Sequence, residues 1–233
     1  MKIELCAGSL EAIQLAKELN VDRIELCQNL EQGGMTPSPG IIDYAVALGI
    51  ETHVLIRPRP GGFFYNQDEI EVMLRDILEC ASMNVRGVVI GALNEFGVID
   101  EDAVGMMVEK AGTMDVTFHR AFDDTYNFEK SLDTLINLGV KRVLSSGLGS
   151  SVESGLLNLK AMQEYAAGRI EIMCGGGINA SNIEKLIAEV RPDAIHFSGT
   201  RKFLLDERSM FSETILKVSR EKVERLLELA RHT

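Results

Sequence analysis

The chain is short of cysteine, of long apolar runs and of positive charge, and each shortage excludes a class of protein. Four cysteines, Cys6, Cys27, Cys80 and Cys174, are scattered over 233 residues. That is too sparse for a disulfide framework, so free thiols in a reducing compartment are expected. No uninterrupted apolar stretch approaches the roughly 18 residues of a membrane-spanning helix. The opening Met1-Lys2-Ile3-Glu4 meets an acid before a signal-peptide apolar region forms, and a cytoplasmic protein is expected. Lys plus Arg number 24 against 35 Asp plus Glu, a formal charge of −11. Such a chain repels nucleic-acid phosphates and anionic lipid, so neither partner is expected. A small anionic ligand stays possible, because a few local Arg and N–H groups outweigh distant, screened charge.

Linkers and low-complexity tracts are also missing, so residues 1–233 are expected to form one domain. What is present is a regular alternation. Strand candidates lie at Ile3–Cys6, Arg23–Cys27, Thr52–Arg57, Gly87–Gly91, Asp115–His119, Arg142–Ser145, Ile170–Cys174 and Ala194–Phe197. Helix candidates follow at Ser9–Leu19, Asp68–Ser82, Asp100–Lys110, Phe128–Leu138, Glu153–Tyr165, Ala180–Val190 and Glu213–Arg231. Ser9 is an N-cap candidate, and Gly49, Gly112 and Gly139 stand where helices would stop. Eight βα units in 233 residues average about 29 residues each, which predicts an α/β chain folded as a parallel (β/α)8 barrel of the TIM type. A doubly wound sheet is disfavoured, because Cys6-Ala7-Gly8-Ser9 replaces the glycine-rich turn expected after its first strand.

Barrel strands are covered on both faces, so polar strand residues belong at the inner mouth. Alternation puts Glu4 with Cys6, Glu25 with Cys27, His53 with Arg57, Thr117 with His119, and His196 with Ser198. Cys174 and Ser145 also stand at strand ends, where barrel enzymes build their sites. The seventh and eighth strands lead into Gly175-Gly176-Gly177 and Ser198-Gly199-Thr200, whose backbone amides are candidates for holding an anion. Arg57 and Arg59, in a Pro- and Gly-rich loop, are candidate anion clamps. Arg57 has an alternative use, pairing with Glu4 or Glu25.

An ordered set of short motifs carries a family likeness. Glu25-Leu26-Cys27-Gln28-Asn29-Leu30, Gly33-Gly34-Met35-Thr36-Pro37-Ser38, Ile56-Arg57-Pro58-Arg59, Thr117-Phe118-His119-Arg120-Ala121-Phe122-Asp123, Ser145-Ser146-Gly147 and Gly175-Gly176-Gly177 resemble the CutC family of copper homeostasis proteins. The likeness runs from residue 1 to about Arg201. It implies a (β/α)8-type barrel, a cytoplasmic setting, self-association as a homo-oligomer such as a dimer, and copper handling with Cu(I) on strand-end cysteines, here Cys6 and Cys27.

Two functions follow as expectations. One is copper binding: thiolates are soft donors that select Cu(I), and Cys174 or a histidine would complete the site. No CxxC or clustered methionine motif adds to it. The other is an enzyme acting on a small phosphorylated or carboxylated metabolite, with Glu25 and His119 as the acid/base groups, Cys27 as a possible nucleophile and the glycine loops and arginines holding the anion. No organic cofactor is evident.

Overall fold

A computed structural model describes residues 1–204 and 214–233. Eight parallel strands close into a barrel in the order β1 to β8. They are β1 Lys2–Ala7, β2 Arg23–Leu26, β3 Thr52–Leu55, β4 Gly87–Ile90, β5 Asp115–Phe118, β6 Arg142–Ser145, β7 Glu171–Gly175 and β8 Ala194–Phe197. Each strand lies next to its sequence neighbour, and β8 returns to β1 with Glu4 opposite His196. Among the described residues, seven helices connect or cover them: α1 Leu10–Glu18, α2 Pro39–Ala47, α3 Gln67–Ser82, α4 Glu101–Ala111, α5 Phe128–Asn137, α6 Leu156–Ala166 and α7 Ile183–Val190. The eighth, α8 Arg220–His232, follows an antiparallel hairpin of β9 Thr200–Leu204 and β10 Thr214–Val218. The expected (β/α)8 barrel is therefore the observed fold.

Local chemistry sets the helix ends. Ser9 caps α1 by accepting the amide of Ala12, and Asp100 caps α4 through Ala103. In α3, Asn66 and Glu69 form a reciprocal capping box, while Ile70, Met73, Ile77 and Cys80 turn one apolar stripe to the barrel. The Gly49 and Gly139 φ angles of 67° and 79° end their helices in the left-handed region.

Three helix starts differ from expectation. Helix α6 begins at Leu156 rather than Glu153, because Ser151 and Ser154 bond each other's backbone in a turn. Likewise α7 begins at Ile183 rather than Ala180, where Asn182 accepts the amide of Asn179 and donates to Gly177. The helix expected from Glu213 starts only at Arg220, since Thr214–Val218 pairs with Thr200–Leu204; Glu213 itself lies outside the described residues. Helix α2, with Pro39 in its first turn, was not among the candidates.

Strand parity divides the core. Outward residues such as Leu5, Ile24, Leu26, Val54, Val88 and Ile90 join the helices in one large cluster. Inward ones form separate, smaller clusters: Cys6, Cys27, Leu55 and Val89, and then Leu144, Met173 and Ala194. No helix among the described residues is long and apolar enough to cross a membrane.

Candidate functional site

The barrel's inner face is polar at two levels. At the floor, Arg23 pairs with Glu4 and also reaches the sulfur of Met173 at 3.4 Å, while Arg142 donates to Thr117 at 3.0 Å and pairs with Glu171. Glu4, Arg23, His53 and Thr117 are completely buried. Burial opposes the charge of Glu4, but the His196 hydrogen bond and the Arg23 guanidinium outweigh it and hold the carboxyl well below the usual range. Burial drives the His53 pKa down to about 3, so that ring is neutral.

Above this floor, at the carboxyl ends of the strands, lies a cavity of about 270 Å³. One side carries Cys6 from β1, Glu25 and Cys27 from β2 and its end, and His196 from β8. The other carries Arg57 and Phe63 after β3, and His119 and Arg120 after β5. Leu30, Leu55 and Leu144 supply apolar wall.

On the first side the sulfurs of Cys6 and Cys27 stand 3.7 Å apart, and the Cys6 thiol is 3.6 Å from a Glu25 oxygen. Donor atoms of Cys6, Glu25 and His196 all lie within 4.8 Å of one another. His196 Nδ1 bonds Glu4 at 2.7 Å. Burial works against a charged His196, but Glu25 and Glu4 prevail and raise its pKa. Burial likewise lifts Glu25 above the usual carboxylate range, with His196 opposing. The Cys27 contact, then burial, push the Cys6 thiol well up.

On the opposite side the His119 ring lies over Gly91, where a β-carbon would come 2.3 Å from the ring, so a side chain there would displace it. Its Nδ1 accepts the Ala121 amide at 3.1 Å, which leaves the proton of the neutral ring on Nε2. Burial, then the neighbouring Arg57, take its pKa down to about 3. Arg57 donates to the carbonyls of Gln32, Gly34 and Gly61 at 3.1, 2.8 and 2.7 Å, tying two loops together. It therefore forms a clasp, not the expected ion pair with Glu4 or Glu25; Arg23 takes Glu4 instead.

Several expected residues stand elsewhere. Arg59 pairs with Glu69 at the start of α3 and with the carbonyls of Gly62 and Phe64, and it is not part of the cavity wall. Gly175, Gly176, Gly177, Ser198 and Gly199 do not line the cavity. Gly176 instead lets the Arg120 guanidinium approach, and Ser198 bonds Thr200 at 3.0 Å. Cys174 faces outward into the helix-side core with its pKa pushed up to about 12 by burial. The inward residues of β7 have odd numbers, Met173 among them, so an even-numbered neighbour points away. Ser145 also turns outward, toward Asp123 and Met162.

Sequence reasoning overlooked Asp123, which accepts from Ser145, Ser146 and Leu148 and anchors Arg120 at 2.8 Å. Nor did it assign a site role to His196, Leu30 or Phe63. The parity of β8 put His196 at the inner mouth without a role; Leu30 and Phe63 are loop residues without periodicity.

Comparison with known proteins adds a family. The CutC family model matches residues 1–201. The chain belongs to the CutC family. A CutC family protein of Glaesserella parasuis serovar 5 is 39% identical over 212 residues, 90% of this chain and 87% of that protein. One from Bacteroides thetaiotaomicron is 39% identical over 207 residues, covering 88% and 83%. The crystal structure of CutC from Streptococcus agalactiae, to which a copper homeostasis role is ascribed, superposes with a TM-score of 0.80 at 35% identity, covering 84% of this chain and 97% of that one. Phosphoribosylanthranilate isomerase from Thermotoga maritima, at 14% identity and a TM-score of 0.63, shares the fold alone.

Proposed function

We propose that this CutC family member binds Cu(I) at the barrel mouth through Cys6 and Cys27. The observation that carries the reading is the 3.7 Å approach of their sulfurs on one wall of an open cavity. That spacing is less than twice a metal–thiolate bond, about 2.3 Å for zinc, so one ion can touch both sulfurs. Soft thiolates select Cu(I), and Glu25 and His196 stand close enough to offer a further donor. Copper is the cargo here, in keeping with the role ascribed to the Streptococcus agalactiae relative. Anaerobic titration with Cu(I) against a chelating competitor tests it. Native protein should retain copper that the Cys6→Ser/Cys27→Ser double variant releases; equal retention would sink the site.

A second reading is acid/base catalysis on a small carboxylated or phosphorylated metabolite. It is favoured by one observation: Glu25 and a neutral His119 line the same cavity. A carboxylate that removes a proton beside a carbonyl, and a neutral imidazole whose one N–H is shared between the developing enolate oxygen and the adjoining carboxylate of a 2-oxo acid, suit such a transfer. The expected outcome is deuterium uptake from heavy water at the carbon next to the carbonyl, across a panel of small 2-oxo acids. Uptake should vanish in Glu25→Gln, and uptake unchanged by that variant would remove the reading.

A further inference from the structure

The cavity contains a charge that copper binding does not answer. Arg57 is only 6% exposed, yet no carboxylate pairs with it among the described residues: Glu4 is taken by Arg23 and His196, Glu69 by Arg59 and Asp123 by Arg120, while Glu25, on the same cavity, has its contact with the Cys6 thiol. Among the described residues, three carbonyl dipoles, the Phe63 ring 5.3 Å from the guanidinium carbon and the buried Tyr65 hydroxyl face its charge, none of them an anion. Its Nε is buried without a partner. Dipoles and an aromatic face soften the cost of a buried cation but do not supply a counter-charge.

Beside it, His119 packs on the same Phe63 ring with centroids 4.9 Å apart, and its Nε2–H is also buried without an acceptor. Buried groups without a partner are few in native structures; the floor has some of its own at Arg23, His53 and Arg142, but Arg57 and His119 are the ones that line the open cavity, where a ligand can reach them. The ring is a neutral donor at physiological pH, because burial and Arg57 disfavour its charged form. One cavity wall thus offers a cation and an N–H donor that lack an acceptor of full negative charge. Leu30, Leu55, Phe63 and Leu144 give the same space an apolar lining. At about 270 Å³ the cavity equals the volume of about nine waters, which suits a molecule of a few carbons.

We propose that the mouth binds a small organic carboxylate, its charged group against Arg57 and His119 and its carbon body against Leu30, Leu55 and Leu144. This deepens the acid/base reading and rests on it for any chemistry. It orients the ligand: the acidic group lies on the β3–β5 side, and the carbon body points across the barrel toward Cys6 and Glu25, since β5 stands opposite β1 in the closed order.

Calorimetric titration of metal-free protein with butyrate and benzoate, against 1-butanol, benzyl alcohol and inorganic phosphate, tests the proposal. At least one carboxylate should bind saturably, about tenfold or more tighter than its alcohol. Replacing Arg57 risks releasing the three loop carbonyls, so the informative variant is His119→Phe, which keeps a ring against Phe63 and removes the donor. It should weaken carboxylate binding by about tenfold, whereas Arg59→Met, away from the cavity, should leave it unchanged. Alcohols binding as tightly as acids, phosphate binding more tightly than either acid, saturable binding by neither acid, or an unaltered His119→Phe affinity would each overturn the proposal. Carboxylate binding without deuterium uptake would preserve this site and remove the catalytic reading. Uptake accompanied by undiminished affinity in His119→Phe would do the reverse.

Discussion

The floor and the mouth of the barrel are both lined by inward-facing polar side chains, yet they handle charge differently. At the floor, Arg23 meets Glu4 and Arg142 meets Glu171, so each cation has a carboxylate, although Arg23 Nη1, Arg142 Nε and both His53 nitrogens lack hydrogen-bond partners. At the mouth, Arg57 faces carbonyl dipoles and an aromatic ring but pairs with no carboxylate among the described residues, His119 keeps an unaccepted proton, and two thiols face each other beside a carboxyl. Charge compensated within the chain does structural work. Charge without a carboxylate among the described residues, next to an open cavity, is what separates the mouth from the floor.

The largest test of that contrast is Arg23→Met. It leaves Glu4 buried with His196 as its remaining partner and should cost about 3 to 5 kcal/mol in urea unfolding. A loss below about 1 kcal/mol would show that the floor is not held by compensated charge.

The next test uses acid. Unfolded His53 takes a proton near 6.5, but in the fold its pKa is about 3. Between those values the unfolded chain holds more protons, so stability should decline as pH falls from about 6.5 toward 3. His53→Gln should flatten that slope in unfolding curves taken at successive pH values; an unchanged slope would remove His53 as a source.

A smaller effect is expected at the mouth. Cys6→Ser/Cys27→Ser should shift the unfolding free energy of metal-free protein by about 1 kcal/mol, well below Arg23→Met. A loss as large as the floor variant's would make the thiols structural and erase the contrast. Smallest of all, Arg59→Met should cost under about 1 kcal/mol, because its pair with Glu69 is partly exposed. Measured thermal unfolding well below that of the native chain would give Arg59 a larger part than its contacts suggest.

Much of this arrangement was legible in sequence. The alternation of β-rich and helical segments carried the eight strands, and parity along β1 and β2 placed Cys6, Glu25 and Cys27 together. Cys174 was misjudged because its position at a strand end was weighed and its parity was not. Arg59 and the glycine loops stand away from the cavity for a different reason. A loop's backbone path depends on remote partners such as Glu69, Asn182 and Arg120, and no local period reports them. Strand β10 falls within the helix expected from Glu213 for the same cause, since its pairing with β9 and the Leu216 bond to Glu31 join residues far apart in sequence.

Sequence by itself determined the barrel and, where alternation was followed as on β1 and β2, which strand residues face its interior, because both follow from periods of the chain that sterics and burial impose locally. Tertiary structure decided which of those inward groups neutralise one another. Ion pairing depends on distances between strands far apart in sequence, so only the closed barrel shows Glu4 taken by Arg23 and His196, and Arg57 left facing an open cavity.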